Sequence, residues 1–168
     1  MRRINRMERG SRWSGGDIVA LLTISVYTEL VFDHCLYFNT TALARQLERE
    51  WTSAFKPFDL SPPQAFLLRA ILEKPGLPPR ELATELVVSR PTVTRALDGL
   101  AEKGLVDRRI SREDGREQCI HPSAGAVAIH AALNEASGRV TRRLKKLLGN
   151  ELFLDTVGKV RGVRSALK

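Results

Sequence analysis

Arg90, Thr92, Thr94 and Arg95 crowd the start of the segment RPTVTRALDGLAEKG. A guanidinium fork donates to guanine edges or to phosphate, and threonine offers a hydroxyl and a methyl group to a base. A second group, Arg112, Asp114 and Arg116, lies in SREDGR. There an aspartate can hold an arginine fork in place while the arginine reaches a phosphate or a narrow groove. The chemistry on offer is recognition of a polyanion, with no bond making or breaking. No Ser/His/Asp, Cys/His or paired-carboxylate arrangement recurs at a useful spacing, so an enzyme is not expected. His34, His121 and His130 are scattered, and Cys35 and Cys119 form no CxxC pair. No metal site, disulfide framework or cofactor is expected from them.

The elements that must position these residues follow from the local pattern. LPPRELATEL reads as a short helix with Leu82, Ala83 and Leu86 on one face, and VVS as a turn. Ser89 is placed to cap a second helix by accepting from its first-turn N–H groups, and Pro91 fits that turn because its missing N–H costs nothing there. Val93, Leu97 and Leu100 recur as a helical stripe, leaving Arg90, Thr92, Thr94 and Arg95 off it. Gly104 ends the helix. A strand LVDRRI, a turn-rich tip SREDGR with Gly115, and a returning strand EQCIH complete a helix-turn-helix with a charged β-wing. Such a helix presents its N-terminal end to the major groove. Plainer readings stand beside this one: threonines suit a helix start, and the wing can be a solvated hairpin of local ion pairs.

On either side, residues 1–16 read as a flexible basic arm, 17–60 as N-terminal dimerisation helices, 61–122 as the DNA-binding winged helix, and 123–168 as C-terminal dimerisation helices. Leu36, Leu43, Leu47, Trp51 and Phe55 predict a helix from about Asp33 to Phe55, stopped by Pro57. Ser61-Pro62-Pro63 starts the next, with Phe66, Leu67, Ala70 and Ile71 inward, and Lys74-Pro75-Gly76 ends it. Ser123 can cap a helix to Leu148 carrying Val127, Val140, Leu144, Leu147 and Leu148. Gly149 breaks the chain, Asn150 can cap a last helix, and Phe153, Val157, Val160 and Leu167 mark its inner face. The expected fold is mainly α: a winged helix-turn-helix with N- and C-terminal dimerisation helices. Two-fold pairing of two chains would set two reading helices about one DNA turn apart, on a palindromic duplex. The alternative is a monomer whose terminal helices fold back on its own winged helix.

Composition supports this without deciding it. The 168 residues carry a formal charge of +8, and the isoelectric point is near 10.1. The excess sits at the two ends: residues 1–12 hold five basic groups against one acid, and 139–168 hold nine against two. Basic ends raise the general attraction to DNA, while specificity has to come from base contacts. The most apolar run, residues 18–32, is shorter than the ~20 residues of a membrane span, and no signal-peptide cleavage site is convincing. A cytoplasmic protein with no membrane partner is expected.

Several segments together resemble the multiple-antibiotic-resistance regulator (MarR) family. They are CLYFN, KPFDLSPPQAFLL, ELATELVVSRPTVTRALDGLAEKGLVDRR and EDGR, the last resembling the family's Asp-x-Arg wing signature through Asp114 and Arg116. The resemblance covers roughly residues 35–167. It implies a homodimer on double-stranded DNA, with Arg90, Thr92, Thr94, Arg95 and Arg116 as contacts and Asp114 supporting Arg116; Arg112, beside them in the wing, is a further DNA-binding candidate. It also implies an effector cleft for a small molecule, often an aromatic anion. Candidate lining residues are Phe38, Trp51, Phe55, Phe58, Phe66 and Arg69, each of which also reads as core. The chain departs from the family pattern at His121-Pro122-Ser123-Ala124-Gly125, in its long N-terminal extension and in its basic final helix. Peroxide-sensing relatives carry a cysteine near Cys35, but only Tyr27 and Tyr37 are available to assist it, which favours an inert buried thiol.

The reading that results is a homodimeric transcription regulator, a repressor of palindromic operators released by a small ligand. Two alternatives stay open. An effector-less architectural DNA protein would show shallow sequence preference and a steep salt dependence. A winged-helix module for protein partners would have no operator and would tolerate loss of Arg95 or Arg116.

Overall fold

The computed structural model describes residues 32–110 and 118–167. The expected basic arm, the apolar run before residue 32 and the wing tip with Arg112, Asp114 and Arg116 lie outside the described residues. Six helices and two strands follow in order: α1 Leu36–Phe55, a 3-10 turn Lys56–Phe58, α2 Pro62–Glu73, α3 Pro79–Leu86, α4 Arg90–Glu102, β1 Val106–Ile110, β2 Gln118–Pro122, α5 Ala124–Leu148 and α6 Asn150–Ala166. The chain divides into two compact units, Met1–Gln46 and Leu47–Lys168.

In the first unit, α1 begins at Leu36 and not at Asp33. The Asn39 amide donates to the carbonyls of Phe32, Asp33 and Cys35 at 2.9–3.0 Å. The Phe32 and Asp33 carbonyls thereby find a donor outside the helical ladder, whereas Cys35 O also accepts the Asn39 backbone N–H at 3.0 Å, and the turn stays separate from the helix. Cys35 is half-buried, and its sulfur accepts from the Phe38 N–H at 3.5 Å.

The second unit holds the core. α2 is its hub, packing on α4, α5 and β2, while α3 packs on α4. Ser61 and Gln64 form a reciprocal capping box at the start of α2, which satisfies two otherwise free first-turn donors. Phe55, Leu67, Leu68, Ile71, Leu82 and Leu97 are among the side chains sealed in the interior, joined there by Ile120 and Leu133. β1 and β2 pair antiparallel from Val106 opposite Pro122 to Ile110 opposite Gln118. The link between α2 and α3 adds to this sheet, because Gly76 N–H donates to Ile120 O at 2.8 Å and Ile120 N–H to Leu77 O at 3.1 Å. Gly76 has φ +88° and lies where a Cβ would approach the His121 ring to 3.3 Å. Both facts favour glycine there.

Further sequence expectations change. Phe66, expected to face inward on α2, is exposed. Ser89 occupies the N-cap position of α4 but makes no side-chain cap bond; its hydroxyl pairs with that of Thr92 at 2.8 Å instead. Asn150 is the first residue of α6, and Gly149, at φ 81°, takes the cap position. On α5 the buried face is Ala126, Leu133, Ala136, Ser137 and Val140, while Val127, Leu147 and Leu148 are exposed. The small residues are inside because α5 lies close against α2, where alanine and serine permit near approach. On α6 no residue is buried: Val157, Val160 and Leu167, expected to face inward, stand open. Among the described residues no helix is long and apolar enough to cross a membrane.

Candidate nucleic-acid interface

α3 and α4 are joined by a three-residue turn whose first member, Val87, has φ 55°. A β-branched residue is strained in that left-handed conformation, at a cost of about 1–2 kcal/mol. The Val87 N–H, donating to the carbonyls of Ala83 and Thr84, helps to hold it. This bend redirects the chain so that α4 leaves α3 with its N-terminus outward. Valine gives no sequence signal for such a conformation, and its role was not foreseen.

α4 rests on Val93, Leu97 and Leu100, all essentially fully buried. That anchorage leaves Arg90, Thr94 and Arg95 exposed and Thr92 half-buried. The Thr94 hydroxyl donates to Arg90 O at 3.1 Å, so its lone pairs and methyl remain for an external group. Neither the Arg90 nor the Arg95 guanidinium has a hydrogen bond or ion pair among the described residues. Their charges add to the positive end of the α4 dipole, an arrangement suited to phosphate and to base acceptors. The arginines of β1 differ. Arg108 is paired with Asp98 of α4, and Arg109 with Asp107 at 3.3 Å. The first pair ties the wing to the reading helix.

The proposed ligand residues are distributed unevenly. Phe38 belongs to the first unit, exposed and stacked on Phe32 at 4.6 Å between ring centroids. Phe55 is sealed in the core of the second, with Trp51 and Phe58 packed against that core. Phe66 meets the edge of Phe55 at 5.7 Å and the Trp51 ring at 6.2 Å, and the Arg69 guanidinium lies 5.6 Å from its centroid. Arg69 donates from Nε to Asn134 Oδ1 at 2.6 Å and from Nη1 to Ser137 Oγ at 3.0 Å. Trp51 Nε1 also donates to Ser137 Oγ, at 3.2 Å. Asn134 and Ser137 were not singled out from the sequence, since contacts across 65–86 positions leave no local pattern.

A cavity of about 450 Å³ opens beside this cluster, with Phe66, Leu86, Val88, Thr92 and Ala96 in its walls and Glu48 as the one charged residue lining it among the described residues. Of the six expected ligand residues, Phe66 alone borders it. Its wall includes Thr92, Val93 and Ala96, so the cavity and the arginine-bearing end of α4 share one helix.

Comparison with known proteins places this geometry. A family model described as the MarR family matches residues 58–117. The chain is 30% identical over 131 residues, 78% of its length and 75% of the relative's, to a putative transcriptional regulatory protein for the hcr operon of Thauera aromatica. The fold matches that of the transcriptional repressor CouR bound to a 23-mer DNA duplex, with a TM-score of 0.75 and 23% identity, covering 81% of this chain and 96% of that one. It also matches CouR bound to p-coumaroyl-CoA, with a TM-score of 0.73 and 21% identity over 80% and 94% of the two chains.

Proposed function

The chain belongs to the MarR family of winged helix-turn-helix DNA-binding regulators, and from that premise we propose that it is a homodimeric repressor of palindromic operators, released by a small ligand. The observation that carries the reading is the charge arrangement at the start of α4. The exposed Arg90 and Arg95 have guanidinium groups without a partner among the described residues, beside Thr94, on a helix whose opposite face is fixed in the core. In this reading Arg90, Thr92, Thr94 and Arg95 contact the major groove, while Arg112 and Arg116, steadied by Asp114, reach the backbone and minor groove. The exposed apolar residues of α6 supply a face for a second copy, and pairing through it supports the two-fold match to a palindrome. As a regulator the chain performs no catalysis, and it works in the cytoplasm, where the DNA is.

Ligand release is supported by the cavity wall. Thr92 borders the cavity and its hydroxyl is shared with Ser89 at the start of the reading helix. A ligand that prefers one setting of that turn shifts DNA affinity by its differential affinity for the two settings. CouR bound to p-coumaroyl-CoA is a precedent for ligand binding by this fold.

The test is a selection of genome fragments at ~0.15 M salt, where non-specific binding is weakened, using the wild type and an Arg95→Ala, Arg116→Ala double variant. A short palindrome enriched by the wild type and lost by the variant is the expected result. Weak enrichment without sequence preference in both proteins would overturn the operator reading and favour an architectural role.

A further inference from the structure

We propose that the cavity beside α4 takes a lipophilic cation, a hydrophobic amine or quaternary ammonium, with the Glu48 carboxylate as its counter-charge. The inference rests on the effector reading above and adds the charge of the ligand to it. The volume of about 450 Å³ falls within the ~300–1,000 Å³ span of small-molecule sites. Its walls are almost wholly apolar, so an occupant must bury hydrocarbon or aromatic surface there. Glu48 is the exception. It is exposed and makes no hydrogen bond or ion pair among the described residues. Several acids of the same unit are paired, Glu50 with Arg143, Asp59 with Lys103, Glu85 with Lys74 and Asp98 with Arg108; among the described acids whose side chains are left without a partner, Glu48 is the one that borders the cavity.

The basic residues needed to hold an anion are missing from this wall. No lysine, arginine or histidine lines the cavity among the described residues. Arg69, 5.6 Å from the centroid of the Phe66 ring, does not line the cavity and directs its donors to Asn134 and Ser137. An aromatic carboxylate entering here would lose hydration against apolar walls and face a like charge. An aromatic amine would bury the same surface and meet an opposite charge at the mouth. The ring of Phe66, which lines the cavity, can add a cation–π attraction where an ammonium approaches its face. Such an occupant touches Thr92 and Ala96, so it acts on α4 directly.

The test uses three probes of one shape, 4-phenylbutylammonium, 4-phenylbutanol and 4-phenylbutyrate, titrated calorimetrically into the full chain without DNA at low salt. The amine is expected to bind about tenfold more tightly than the carboxylate, a gap that narrows as salt screens the charge. Glu48→Gln, at an exposed position, should bring the three probes within about twofold of one another and leave the alcohol unchanged. Val88→Trp, which fills the cavity from the exposed turn, should weaken all three. A carboxylate that binds as tightly as the amine, a preference that survives Glu48→Gln, or no binding by any probe would overturn the proposal. These readings need no DNA. An operator selection that fails while the amine preference holds would therefore count against the repressor reading and leave the ligand class standing.

Discussion

α4 and α6 are helices of 13 and 17 residues that handle their apolar side chains in opposite ways. α4 seals Val93, Leu97 and Leu100 into the core of its own chain. α6 carries Leu152, Leu154, Val157, Val160 and Val163, every one of them exposed. The difference shows what each helix depends on. The position of α4 follows from contacts within one chain, so its polar end can be held still for a ligand. These apolar residues have no cover among the described residues, and exposed apolar surface of that kind is a candidate interaction surface. Rigidity and assembly are thus assigned to different helices. Perturbing one should leave the other's property intact.

The largest effect should come from α4. Leu97→Ala removes a fully buried side chain and should destabilise the fold by about 2–5 kcal/mol. Urea denaturation should show the same loss at every protein concentration, because the contacts are made within the chain. A loss below about 1 kcal/mol would mean that α4 is not held as its burial implies.

The second perturbation moves to α6. A Val157→Asp, Val160→Asp double variant puts two charges on the face proposed to meet a second copy. Burying unpaired charges in an interface should weaken self-association by at least about a hundredfold. Analytical ultracentrifugation should then find monomer where the wild type is dimer. Circular dichroism should show the helix content of the second unit retained. An unchanged dimer would remove α6 from the interface and break the comparison.

How much of this was legible in the chain itself depends on range. The start of α2 at Ser61, the stripe Val93-Leu97-Leu100 and the stop at Gly104, which has φ 65°, are matters of neighbours within a turn or two. Local chemistry was enough to place them. The Ser89 cap failed for an equally local reason, since Thr92 offers the same hydroxyl a competing partner. Ser137 could not be foreseen as the meeting point of Trp51 and Arg69, because only packing brings α1, α2 and α5 together. The inner face of α6 was read correctly as apolar, yet a periodic stripe does not say whether its cover lies in the same chain.

Within the DNA-facing end, smaller effects separate specificity from stability. Arg95→Ala should cost about 1–3 kcal/mol of operator affinity and relax the preference at the base it reads. The midpoint of thermal unfolding should hardly move, since Arg95 touches nothing in the core. Fluorescence anisotropy with cognate and scrambled duplexes measures the first, and a melting curve the second. Equal weakening on both duplexes would reassign Arg95 to phosphate.

Arg108→Ala should have the smallest effect, and it sharpens the contrast most. Arg108 carries the same guanidinium as Arg95, but it is paired with Asp98 across the α4–β1 boundary, with both side chains partly open to solvent. Exposed pairs of this kind contribute about 0–1 kcal/mol. Removing Arg108 should therefore lower stability by no more than that. Because its donors are already directed to a carboxylate, it should also leave base preference where it was. Asp98→Asn should reproduce the small stability loss. It would also free Arg108, whose released charge should tighten binding to any duplex and steepen its salt dependence by up to about one unit. If Arg108→Ala instead relaxed operator preference as Arg95→Ala should, pairing would not be what divides the reading arginines from the structural ones.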